Sequence, residues 1–141
     1  MSVLIVDDDE TMRFICRRFL SRLTDAGDLV IEEAASGEDA IEMLRDRPFD
    51  CVLSDYRMGA ASGIDVLAFA KKERPKAVRI LFTGFAAPAI HQEALHRASV
   101  HEFLEKPMTT PELEALLRAK MVEPYIKPLV RKRADEAGVT R

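Results

Sequence analysis

Val3-Leu4-Ile5-Val6-Asp7-Asp8-Asp9-Glu10-Thr11 is the stretch that decides how this chain folds. Four apolar residues, three of them β-branched, read as a short strand, and they run straight into three aspartates. From about Thr11 to Leu23 the pattern changes period, with Met12, Ile15, Cys16, Phe19, Leu20 and Leu23 at helical spacing. Polar Asp9-Glu10-Thr11 suits the first turn of that helix. A strand apolar at every position cannot have one face in water, so helices must cover both sides of its sheet.

The same alternation continues outward. Further strand candidates are Val30 to Glu33, Cys51 to Ser54, Ile80 to Thr83 and Glu102 to Leu104. Between and after them lie helical stretches at about Ser36 to Arg45, Gly63 to Glu73, Pro88 to Ala98 and from Thr110, the last carrying Leu113, Leu116, Leu117 and Met121 on one stripe. Ser36 stands three residues before Asp39, close to a capping box, and Arg74-Pro75 stops the third helix. Strands alternating with helices predict an α/β fold, a flavodoxin-like doubly wound sheet of five parallel strands with five flanking helices.

With 141 residues, 48% hydrophobic and 32% charged, the chain can bury an ordinary core without a staple. Its net charge of −3 offers no field to attract nucleic-acid phosphates. Cys16 and Cys51 sit in apolar contexts and read as buried thiols, and the start of the chain lacks the pattern of a signal peptide. No stretch is long enough to span a bilayer, so the expected location is cytoplasmic. Residues 1–122 are read as one domain. Residues 123–141, with Pro124, Pro128 and the basic run Arg131-Lys132-Arg133, are read as a tail or extra helix without an output domain, since the prolines argue against a seamless continuation of the last helix. The basic run is read as a solvated segment.

Ligands of open parallel sheets bind beyond the carboxyl ends of the strands. That rule alone collects Asp7-Asp8-Asp9, Asp55, Thr83-Gly84 and Lys106-Pro107. Crowded carboxylates repel one another by a few kcal/mol. Lys106 offsets part of this, and a small hard cation held by oxygen ligands would offset the rest, which favours Mg²⁺ or Mn²⁺. A carboxylate beside such an ion can attack phosphorus, with Thr83 and Lys106 stabilising the transferring oxygens. His91, His96 and His101 have no ligand or nucleophile-base spacing and are read as surface or partly buried residues.

Together, Val6-Asp7-Asp8-Asp9, Ser54-Asp55 with Met58 and Gly63 following, Thr83-Gly84 and Phe103-Leu104-Glu105-Lys106-Pro107 resemble the receiver domain of two-component response regulators, over about residues 2–121. The resemblance is to stand-alone, chemotaxis-type receivers. It implies that Asp55 accepts a phosphoryl group from a sensor histidine kinase or phosphotransfer protein. It further implies that Asp7, Asp8, Asp55 and the backbone carbonyl of Arg57 hold the metal, that Thr83 and Lys106 contact the phosphoryl group, and that Phe103 is the aromatic that turns inward when the threonine moves. It implies a cis bond at Lys106-Pro107 and a downstream protein docking on the fourth helix, fifth strand and fifth helix. A phosphorylation-linked homodimer is a further expectation; direct contact with nucleic acid or membrane is not. The family usually has proline where this chain has Gly59, which predicts a more flexible loop, and Arg57 places a long cation beside the site. Two competing readings are a phosphate relay without surface readout and a small haloacid-dehalogenase-like phosphatase. The latter would use Asp7-x-Asp9-x-Thr11, with phosphate on Asp7 instead of Asp55.

Overall fold

A computed structural model describes residues 1–23, 29–84, 87–106 and 109–138. Strands β1 (Ser2–Val6), β2 (Val30–Ala34), β3 (Cys51–Asp55), β4 (Val78–Thr83) and β5 (Glu102–Glu105) form one parallel sheet in the order β2-β1-β3-β4-β5. Helices α1 (Glu10–Leu23), α2 (Gly37–Asp46), α3 (Gly63–Glu73), α4 (Pro88–Ala98) and α5 (Thr110–Leu117) follow the strands in turn. This is the expected flavodoxin-like arrangement, with β4 beginning at Val78 rather than Ile80.

The period-2 alternation of strand side chains divides the core in two. Val3, Ile5, Cys51, Leu53, Ile80 and Phe82 pack with α1 and α5, whereas Leu4, Val6, Val52 and Leu81 pack with α2, α3 and α4. Cys16 and Cys51 are buried free thiols in the first half, and burial pushes both up to about 12.

Caps fix where the helices start. Thr11 and Met12 donate their N–H groups to the Asp9 carboxylate, and Ser36 accepts from Asp39 N–H at 3.1 Å. Ser62 and Asp65 form a full capping box for α3. The cap of α5 is Thr109, one residue before the Thr110 at which the sequence pattern starts that helix. Helix α4 has no side-chain cap and begins on Pro88. It ends at Ser99 in the left-handed conformation, φ 45°, where helices favour glycine. Arg79, buried in β4, donates to the carbonyls of Ala98, Ser99, Pro75 and Ala77, and so ties the end of α4 to the turn before β4.

The chain stays helical past Pro124, contrary to what the two prolines suggest. After Leu117 it widens into a π-helical segment, Arg118–Ile126, and then tightens into α6 (Lys127–Glu136). Proline has no N–H to donate, and the wider winding is where that loss is absorbed. Met121, Val122 and Ile126 are buried against the first half-core, and Arg133 holds both oxygens of Asp50. No helix among the described residues is long and apolar enough to cross a membrane.

Candidate functional site

The site forms at the carboxyl end of the sheet because β1, β3, β4 and β5 all stop there. Asp7 follows β1 and Asp55 closes β3; both are buried, while Asp8 is exposed. One carboxylate oxygen from each of Asp7, Asp8 and Asp55 lies within 4.8 Å of the others. Lys106, just past β5, reaches in to 3.0 Å from Asp55 Oδ1 and 3.4 Å from Asp7 Oδ2. Its backbone N–H donates to the Thr83 carbonyl at 2.8 Å, which sets its height on the sheet. Thr83 ends β4 and is buried. Asp55, Arg57, Thr83, Gly84 and Lys106 line a cavity of about 310 Å³. The sequence-predicted residues Asp7, Asp8, Asp55, Arg57, Thr83 and Lys106 therefore converge, and the Lys106-Pro107 bond lies outside the described residues.

Asp7, Asp8 and Asp55 gather around the Lys106 ammonium, and burial dominates the protonation equilibria of the two buried carboxylates. Burial raises Asp7 to about 6, against its bond from Asp9 N–H and the pull of Lys106. Burial also raises Asp55, opposed by Lys106. Burial works against the Lys106 ammonium too, yet its bonds to Asp55 and Asp7 carry it above the usual lysine range. Three clustered carboxylates, all hard oxygen donors, fit a small divalent cation of the Mg²⁺ type.

Backbone contacts shape the rest. A Cβ on Gly63 would lie 2.0 Å from the Asp55 carbonyl oxygen, so only glycine lets α3 start this close to the end of β3. Gly59 has φ 81°, which proline, fixed near −65°, cannot adopt, so this turn excludes proline at that position. Glu38 accepts from Ala61 N–H at 2.7 Å and pins that loop to α2. The guanidinium of Arg13 donates to the Asp7 carbonyl at 2.7 Å. Neither role shows in the sequence, since each side chain reaches a backbone group outside its own helix. Phe103 lies outside the carboxylate cluster. It is half-buried on β5, stacked on His91 of α4 with ring centroids 3.9 Å apart and planes 13° from parallel.

A family model described as the response regulator receiver domain matches residues 3–118. The chemotaxis protein CheY of Pseudomonas aeruginosa is 34% identical over 115 residues, covering 81% of this chain and 90% of that one. The transcriptional regulatory protein ZraR of Escherichia coli O157:H7 is 30% identical over 126 residues, 89% of this chain, which spans only 27% of that longer protein. Among solved structures, a CheY-like receiver domain protein from Methanospirillum hungatei JF-1 superposes with TM-score 0.73 at 24% identity, covering 96% of this chain and 97% of its own. The response regulator TrrA of Thermotoga maritima, solved in complex with Mg²⁺-BeF, gives TM-score 0.67 at 24% identity and covers 84% and 96%. These matches leave the phosphatase reading without support.

Proposed function

Since the chain belongs to the response regulator receiver domain family of two-component signalling, we propose that Asp55 is its phosphoacceptor and that phosphorylation there switches the binding of a protein partner. The observation that carries this is the Asp55 carboxylate at the end of β3, within 4.8 Å of the Asp7 and Asp8 oxygens and 3.0 Å from Lys106. An oxygen of Asp55 attacks the phosphorus of a phosphohistidine on a sensor kinase or phosphotransfer protein. The O–P bond forms as the N–P bond breaks, and the electron pair leaves with the imidazole. Lys106 exchanges its contact with Asp55 for one with a phosphoryl oxygen, and the Thr83 hydroxyl donates to another. Asp7, Asp8, Asp55 and the carbonyl of Arg57 would hold Mg²⁺ or Mn²⁺, which when bound neutralises charge on the transferring group.

The output follows from the same residues. Thr83 drawn toward the new dianion vacates space beside β4, Phe103 turns into it, and the surface of α4, β5 and α5 is remodelled for a downstream protein or a second copy of the chain. Arg57, on the wall of the cavity, is placed to shield the acyl phosphate from water. Intact mass measured after incubation with a small phosphodonor tests the chemistry. A gain of one phosphoryl group that needs the divalent ion and is lost in Asp55→Asn supports the assignment. Undiminished modification of Asp55→Asn removes it. For Arg57→Ala the expected outcome is a changed dephosphorylation rate, and an unchanged rate would remove the shielding role.

A further inference from the structure

Helices α2, α3 and α5 each begin with a Ser or Thr side chain on a backbone N–H, and α1 with Asp9; α4 begins with no side-chain cap. Ala94 and Ala98 seat the later turns of α4 in the core at 0% exposure, but its first turn offers only half-buried Ile90 and His91. His91 is the ring that meets Phe103. Both backbones are placed independently of that contact, His91 by the buried alanines of its helix and Phe103 by Leu104, which is fully buried next to it on β5. On the other side, the Phe103 carbonyl, pointing away from β4 at the sheet edge, accepts from Lys120 Nζ of the π-helical segment at 3.4 Å.

From this arrangement we infer that His91 is a positioning residue for the switch: its imidazole holds the Phe103 ring against the first turn of α4 in the resting protein, and inward rotation of Phe103 must break that stack. The second half of this statement rests on the proposed function; the first half does not. Face-to-face ring contacts of this kind stabilise by an amount worth roughly a three- to tenfold change in an equilibrium. His91 therefore sets how much phosphorylation is needed to switch, without touching the reacting atoms. It also links the start of α4 to β5, so that release of Phe103 frees the uncapped turn.

The chain has three histidines, and their ring signals can be followed one by one by NMR in the full protein at one fixed pH. The expected result is an upfield ring-current displacement of His91 relative to exposed His96, abolished in Phe103→Leu. No displacement, or one that survives Phe103→Leu, overturns the inference. Mg²⁺ with beryllium fluoride then serves as the phosphoryl mimic, and the ¹⁹F signal of the bound fluoride reports loading of the site separately. On loading, His91 should move to its position in Phe103→Leu. Half-conversion of His91→Ala should need a three- to tenfold lower fluoride concentration, with His91→Phe restoring the wild-type value. Equal midpoints for all three proteins would sink the switch role. Failure to load would count against the proposed function, while the resting spectra would still decide the placement of Phe103.

Discussion

Strand β3 carries an aspartate at each end, and the two are treated in opposite ways. Asp50, just before the strand, accepts from Ser2 N–H and from both arms of Arg133. Burial pushes its carboxyl up, but Arg133 and the Ser2 bond more than offset this and hold it below the usual range. Asp55, at the other end, shares one lysine with Asp7, and burial holds both carboxyls above that range. At one end of the strand the carboxylate is matched by Arg133 of α6; at the other, Asp7 and Asp55 share the Lys106 ammonium. An excess of carboxylate would favour a divalent cation there, and that cation would in turn offset the charge of a phosphoryl group on Asp55.

The largest effect is expected where the site end is built from backbone. Replacing Gly63 by alanine drives a Cβ into the main chain of Asp55, and the expected loss is about 3–5 kcal/mol in denaturant unfolding, with phosphorylation impaired. A cost near zero would mean that the α3–β3 contact is not needed. The two aspartate ends should then give opposite signs. In chelator at pH 7, Asp7→Asn should stabilise the protein by about 1–3 kcal/mol because it removes a buried charge lacking a full partner. Asp50→Asn should destabilise by about 1–2 kcal/mol, the pair being partly exposed. Equal signs would break the comparison.

The pH dependence follows from the same contrast. Asp7 titrates higher in the folded protein, about 6, than in the unfolded chain, so the folded state holds a proton that the unfolded state has released. Its contribution is therefore fully present below about pH 4 and is lost as pH rises through 6, at most roughly 3 kcal/mol, with Asp55 acting in the same direction. Thermal melts without divalent cation should show this loss, and millimolar Mg²⁺ should largely cancel it at pH 7. The smallest effect is at Ser99, where glycine relieves the left-handed backbone and should add about 0.5–1 kcal/mol of stability while leaving the carbonyl on Arg79.

Most of this architecture is legible in the chain because it depends on order along the sequence. Apolar runs give the strands, strand ends give the site, and Asp7, Asp8, Asp55, Thr83 and Lys106 follow as the polar residues placed there. What escapes is the long side chain that crosses between elements. Arg79 stands at a strand start, and nothing local says that it will be buried on four carbonyls. Arg13, Glu38 and His91 act on partners many residues away or on another element. Pro124 illustrates the opposite limit: its local meaning, a break, is overridden because Met121, Val122 and Ile126 gain burial by keeping the coil going.

The most direct test of the central claim is peptide-level mapping of the phosphoryl group after reaction with Mg²⁺ and a small phosphodonor. An acid-stable, hydroxylamine-labile modification is expected on the peptide containing Asp55. A modification on Asp7, or none on Asp55 with the divalent ion present, would contradict it.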